Sequence, residues 1–236
     1  MTDATRASGL VRSMKEMAPT VSVGVAAANW RQIDKDLAAL KQAGVQMLHV
    51  DVMDGRFAAP ITMGPRFVSV LPEDAIKDVH LMVDEPIKAV DGFIEAGADI
   101  ITAHAESTAH IHQVFEAMRG ADVVRGLALN PGTPVAAAEP VLDDIDLILL
   151  LAVNPNGGKQ FIPSTWQRIR QAQALNARAD HDILLAVDGG VTMENAGAVA
   201  AAGADIVVAG SAIFKTGGPA AGARTMLERI QAAART

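Results

Sequence analysis

Short apolar, β-branched runs alternate with amphipathic stretches along the whole of this chain. The strand-like runs are residues 20–25, 45–52, 78–83, 98–104, 122–129, 146–153, 182–188 and 204–210. Most are apolar on both faces, as strands of a parallel sheet covered by helices must be. Between and after them the spacing turns helical over 30–43, 65–71, 86–96 and 107–119, in a short piece after Thr133, and over 163–176, 194–202 and 219–234. Glycines 44, 97 and 203, each between a helical stretch and a strand-like run, read as helix C-caps leading into the next strand. Eight β-then-α units with no internal linker predict a single-domain α/β fold, a (β/α)8 barrel over 20–236, preceded by a short polar N-terminal extension over 1–19 that is helical or frayed. A doubly wound open sheet is the alternative, but no GxGxxG follows the first strand.

Composition narrows the chemistry. Half of the 236 residues are apolar and a fifth are charged, enough for a full-sized core. A formal charge of −7 argues against nucleic acid as a partner. With no cysteine there is neither disulfide nor thiolate site, so a metal must take nitrogen and oxygen ligands; the absence fits a reducing cytoplasm, which is the expected location. Residues 1–19 lack the apolar stretch of a signal peptide, and no window reaches the length of a membrane span, so no membrane partner is expected.

Three strand-like runs end on groups suited to one divalent ion: His49 and Asp51, His80, and Asp188. Strand C-termini converge on one face of a barrel, where such folds carry out their chemistry. Period-two alternation puts His49, Asp51 and Met53 on one face of their strand, and His80 and Met82 on one face of theirs. A single strand histidine is ordinarily a hydrogen-bonded core residue; a His-x-Asp pair followed by a histidine one strand on points to a metal. Asp188, followed by two glycines, is a strand-end carboxylate that would be costly to bury ionised and alone. Gly189 and Gly190, Gly210 and Ser211, and Gly157 and Gly158 in the segment 154–158 fall after three adjacent strands, where backbone N–H groups can cradle a phosphate.

With these residues in place the chain resembles the ribulose-phosphate 3-epimerase family, from about Ser22 to the final helix. The matching segments are LHVDVMDGRF, HLMVDEP, HAES, GLALNPGTP, FIPSTW, VDGGVTMEN and AGADIVVAGSAIF. The resemblance implies a barrel with one divalent metal (Zn, Fe(II), Mn or Co) on His49, Asp51, His80 and Asp188, and no organic cofactor. It also implies that Asp51 and Asp188 are the acid/base pair for epimerisation at C3 of a ketose phosphate, D-ribulose 5-phosphate to D-xylulose 5-phosphate. Met53 and Met82 resemble the methionines that line the family's site.

Several substrate-facing positions depart from the family: Gly24 stands where a serine is usual and Leu151 where a third methionine is usual. The NPGFGGQ-type loop is one residue shorter here, and Ala58-Ala59-Pro60 replaces a VPN segment. These departures motivate an alternative substrate, a tetrulose or hexulose phosphate. His104 and Glu106 match the family outside its ligand set and read as supporting residues, whereas His110, His112 and His181 read as surface residues. A decarboxylase or hexulose-phosphate synthase would need a lysine in an Asp-x-Lys-x-x-Asp strand motif, absent at Asp51–Gly55. A binding protein without catalysis would have lost a carboxylate or imidazole, and none is lost. The expected protein is a homo-oligomer.

Overall fold

The computed structural model describes residues 5–156 and 160–233. Eight parallel strands close into a barrel in chain order: β1 (Thr20–Gly24), β2 (Met47–Met53), β3 (Ile76–Met82), β4 (Ile100–His104), β5 (Val124–Leu129), β6 (Leu147–Leu151), β7 (Leu184–Asp188) and β8 (Ile206–Ala209). No strand end departs from its predicted run by more than two residues. The helices are α1 (Arg6–Met17), α2 (Ile33–Gln42), α3 (Pro65–Val68), α4 (Val90–Glu95), α5 (Ile111–Arg119), α6 (Thr165–Asn176), α7 (Ala196–Ala201), α8 (Ser211–Phe214) and α9 (Pro219–Ala233).

Where the helical pattern overran the helices, tighter turns take up the difference. Trp30–Gln32 and Pro86–Lys88 are 3-10 turns leading into α2 and α4. Between β5 and β6 the short expected piece is a 3-10 stretch, Val135–Asp144, with Pro140 inside it; a proline there has no N–H to continue an α-helical ladder. The short α8, directly after β8, has no separate signal in the sequence pattern. Gly44 has φ of +90°, which lets the chain leave α2 and enter β2 within a few residues.

Strand alternation divides the core in two. Outward side chains such as Val50, Leu81, Ile101, Leu127, Ile148 and Leu185 pack with the helices. Inward ones, among them Met47, Ile100, Val124, Leu147, Leu184 and Ile206, fill the barrel near its N-terminal end. Val11 and Met14 of α1 join this interior cluster, so the N-terminal segment covers the bottom of the barrel. The Asp122 carboxylate accepts from the N–H groups of Arg6 (2.7 Å) and Ala7 (3.0 Å) at the start of α1. Lys15 near its end pairs with Asp205 at 2.8 Å. With that end filled and covered, the open end is the one where the strand C-termini meet.

Candidate active site

Strand register builds the site. Gly24 lies beside His49, His49 beside Asp78, Asp51 beside His80, and Met53 beside Met82 across β1, β2 and β3. On the far side of the mouth, Leu151 lies beside Asp188 across β6 and β7. Since all these side chains share inward parity, β2, β3 and β7 deliver two imidazoles and two carboxylates to one point. One ligand atom from each of His49, Asp51, His80 and Asp188 lies within 4.8 Å of the other three.

The donor chemistry fits a divalent cation. His49 Nε2 and His80 Nδ1 are buried and have no hydrogen-bond partner, a costly state for a ring nitrogen. Both face the same two oxygens. His49 Nε2 is 3.3 Å from Asp51 Oδ1 and 3.8 Å from Asp188 Oδ2; His80 Nδ1 is 3.3 Å from Asp188 Oδ2 and 3.5 Å from Asp51 Oδ1. Two imidazole lone pairs and two carboxylate oxygens form a hard nitrogen/oxygen set for one metal ion.

Protons reveal the same demand for positive charge. Burial alone would lower the His49 pKa, but the carboxylates of Asp78 and Asp51 outweigh it and hold the ring well above its ordinary value. At His80 burial is likewise outweighed by Asp188 and Asp51, and the pKa is raised. Burial would raise Asp51, yet its two histidine neighbours, His49 foremost, bring it far below the ordinary carboxylate range.

Behind each imidazole stands a hydrogen-bonded support. His49 Nδ1 is 2.7 Å from Asp78 Oδ2, and the same oxygen accepts from Ser22 Oγ at 2.8 Å. His80 Nε2 is 2.9 Å from His104 Nε2, and His104 Nδ1 is 3.1 Å from Glu106 Oε2. The other oxygen of Glu106 accepts from the Asn130 N–H at 2.8 Å and from the Thr133 hydroxyl. His104 is kept neutral, its pKa brought down to about 4 by burial despite the nearby Glu106. His104, read from sequence as a supporting residue with Glu106, lies directly behind the candidate ligand His80, and Glu106 lies behind His104.

A cavity of about 330 Å³ opens beside the cluster. Asp51 and Asp188 line it together with Gly24, Gly189, Gly190, Gly210 and Ser211, so these candidates from β1, β2, β7 and β8 do meet. At Gly190, with φ of +67°, an added Cβ would stand 2.6 Å from the Phe161 backbone nitrogen; only glycine allows the chains to pass this closely. Leu151 is buried in the barrel interior, and Met53 and Met82 lie one inward step beyond Asp51 and His80. Gly157 and Gly158 fall outside the described residues. Of the surface histidines, His112 pairs with Asp144 and the exposed His181 bonds the Ile145 carbonyl.

Sequence reasoning missed three residues. Asp78, two before His80 and so on the same face, and Ser22, two before Gly24, carried a readable parity signal. Lys215, just after α8, lines the cavity without an ion pair among the described residues, and only its place after the eighth strand could have pointed to it.

Fold and site together define an α/β-barrel protein whose acidic, histidine-bearing mouth could hold a divalent metal ion beside a glycine-lined cavity. A model of the ribulose-phosphate 3 epimerase family matches residues 20–214, and the chain belongs to that family. It is 42% identical over 214 residues to the chloroplastic ribulose-5-phosphate-3-epimerase of Arabidopsis thaliana, covering 89% of this chain and 76% of that one. It is 39% identical over 198 residues to the ribulose-phosphate 3-epimerase of Bacillus subtilis, covering 82% and 91%. Among solved structures, 3-hexulose-6-phosphate synthase from Salmonella typhimurium superposes with a TM-score of 0.66 at 15% identity, over 91% of this chain and 99% of that one. That likeness carries the fold alone, and none of the described helices is long and apolar enough to cross a membrane.

Proposed function

We propose that this protein is a metal-dependent 3-epimerase that interconverts D-ribulose 5-phosphate and D-xylulose 5-phosphate. The observation that carries this reading is the pairing of Asp51 on β2 and Asp188 on β7, two strands separated by β8 and β1, on one cavity and around one candidate metal position. Epimerisation needs a group on each face of the reacting carbon, and two carboxylates from separate strands meet that need.

One carboxylate, ionised, takes the proton from C3, and the bonding electrons move onto the C2 oxygen to give an enediolate. The other, protonated at the start, delivers its proton to C3 from the opposite face, and the C2 carbonyl reforms with inverted configuration at C3. The two residues exchange roles in the reverse reaction. His49, Asp51, His80 and Asp188 would hold a divalent cation, which would supply Lewis-acid stabilisation of the negative charge that develops. Met53 and Met82, one inward step beyond Asp51 and His80, and Leu151, beside Asp188, would add apolar neighbours at the mouth, outside the residues that line the cavity. Gly189, Gly190, Gly210 and Ser211 offer backbone N–H groups for the phosphate, and Lys215 offers a cation at that end. In this reading the protein works in the cytoplasm as a homo-oligomer.

Interconversion can be followed by ¹H NMR with purified protein loaded in turn with Zn²⁺, Mn²⁺, Co²⁺ or Fe²⁺, against tetrulose, pentulose and hexulose phosphates. Ribulose 5-phosphate is expected to lead in kcat/KM by about tenfold or more, as a pocket shaped for one chain length discriminates. Preference for a tetrulose or hexulose phosphate would leave the chemistry standing and overturn the substrate.

A further inference from the structure

We infer that His104 and Glu106 are positioning residues that fix which nitrogen of His80 meets the metal, so that the two histidine ligands bind through different ring atoms: His49 through Nε2 and His80 through Nδ1. The inference rests on reading the four-residue cluster as a metal site.

The assignment follows from counting donors and acceptors inward from two carboxylates. An ionised carboxylate only accepts. Asp78 Oδ2 sits 2.7 Å from His49 Nδ1, so that nitrogen carries the hydrogen, and the lone pair of His49 is on Nε2, the buried atom facing Asp51 and Asp188. Glu106 has both edges engaged as acceptors: one oxygen by the Asn130 N–H and the Thr133 hydroxyl, the other by His104 Nδ1. His104 therefore carries its hydrogen on Nδ1 and presents a lone pair at Nε2. That lone pair is 2.9 Å from His80 Nε2, which must donate, leaving the lone pair of His80 on Nδ1. His80 Nδ1 is the second buried nitrogen without a partner, and it faces the same two carboxylates. Two independent chains of hydrogen bonds thus end with lone pairs directed at one point.

Glu106 is the origin of the longer chain, and it lies outside the candidate ligand set. In a Glu106→Gln variant the side-chain amide can accept on one edge only. If its oxygen stays with the Asn130 N–H and Thr133, its NH2 faces His104 Nδ1, the hydrogen of His104 moves to Nε2, and two donors confront each other at His80. The conflict is relieved when His80 moves its hydrogen to Nδ1, the atom the metal requires. If the amide turns over, its NH2 opposes the Asn130 N–H instead. Supporting hydrogen bonds of this kind are worth roughly 10–100-fold in metal affinity.

The test uses zinc, in the absence of any sugar. Zinc affinity of the full chain is measured by chelator competition for the parent, Glu106→Gln and Thr133→Val, with a thermal melt of each metal-free protein. The ¹⁵N-histidine NMR spectrum of the zinc-loaded parent assigns the bound nitrogens. Glu106→Gln is expected to weaken zinc by about 10–100-fold. Thr133→Val, which leaves the Glu106 carboxylate on His104, is expected to change it by less than about fivefold, the scale of losing one ordinary hydrogen bond. The parent spectrum is expected to show Nδ1 of His80 and Nε2 of His49 bound to zinc. Unchanged zinc affinity in a folded Glu106→Gln variant, or zinc on Nε2 of His80, would overturn the relay. If Glu106→Gln does not fold, the parent spectrum decides alone. A parent that binds no zinc would instead overturn the metal site on which the relay depends.

Discussion

Lys215 stands out among the residues around the cavity because it brings positive charge to a wall otherwise made of glycines, small side chains and two carboxylates. Its side chain is exposed, so any attraction to a phosphate is discounted by solvent screening. Replacing it with alanine should raise KM for the sugar phosphate by about tenfold and leave kcat nearly unchanged, because the phosphate is bound equally in ground and transition states. Steady-state kinetics on Lys215→Ala separates the two constants, and a fall in kcat alone would contradict this placement. Glu106 makes a different prediction. Burial would raise its carboxyl, but hydrogen bonds from His104, Thr133 and the Asn130 N–H bring it down to about 2. A carboxyl depressed on folding adds stability above its ordinary value and loses it as pH falls toward the folded value. Urea unfolding should therefore show the parent losing stability between about pH 4.5 and 2 more steeply than Glu106→Gln. At this scale the four candidate ligands were legible because period-two alternation is a local property. The bond between Asp78 and His49 was not, because it depends on the register between β2 and β3.

Among the elements, α1 departs most from its sequence character. Residues 1–19 read as a polar extension because most of α1 faces solvent, and only Val11 and Met14 are fully buried. Those two complete the apolar filling that Met47, Ile100 and Leu147 begin inside the barrel. Ala7, Leu10 and Met17, partly buried, extend this contact at helical spacing, but its target exists only once eight strands have closed. Met14 has no exposed surface, so Met14→Ala should cost about 2–5 kcal/mol, the usual range for truncating a buried methionine. Equilibrium unfolding measures this. The folded variant should keep the kcat of the parent, since α1 lies at the end of the barrel opposite the cavity; a stability change under about 1 kcal/mol would show that α1 does not anchor there. The strands, in contrast, were legible to within two residues because helices cover them outside and side chains fill them inside, leaving continuous apolar runs.

For the whole molecule, closure connects the filled end to the reactive one. Inward side chains change along the strands from aliphatic near α1 to histidine and aspartate at the mouth, so one sheet supplies both a rigid base and a reactive face. Metal removal should act on that face alone: a chelator is expected to abolish turnover, with activity restored by adding back a divalent ion, and little change at the α1 end by hydrogen exchange. The alternation of strands and helices made the barrel legible, and the strand-end residues indicated the chemistry. The substrate was less legible, because the cavity is assembled by loops after β1, β6, β7 and β8 whose mutual approach no local pattern encodes. The most direct measurement is solvent deuterium incorporation at C3 of ribulose 5-phosphate, with metal-loaded parent protein and the Asp188→Asn variant. The parent should exchange C3 hydrogen while forming xylulose 5-phosphate, and the variant should form product at least about 100-fold more slowly, as expected for loss of one acid/base group. Xylulose 5-phosphate formed by the parent without deuterium at C3, or a variant as active as the parent, would contradict the two-carboxylate account.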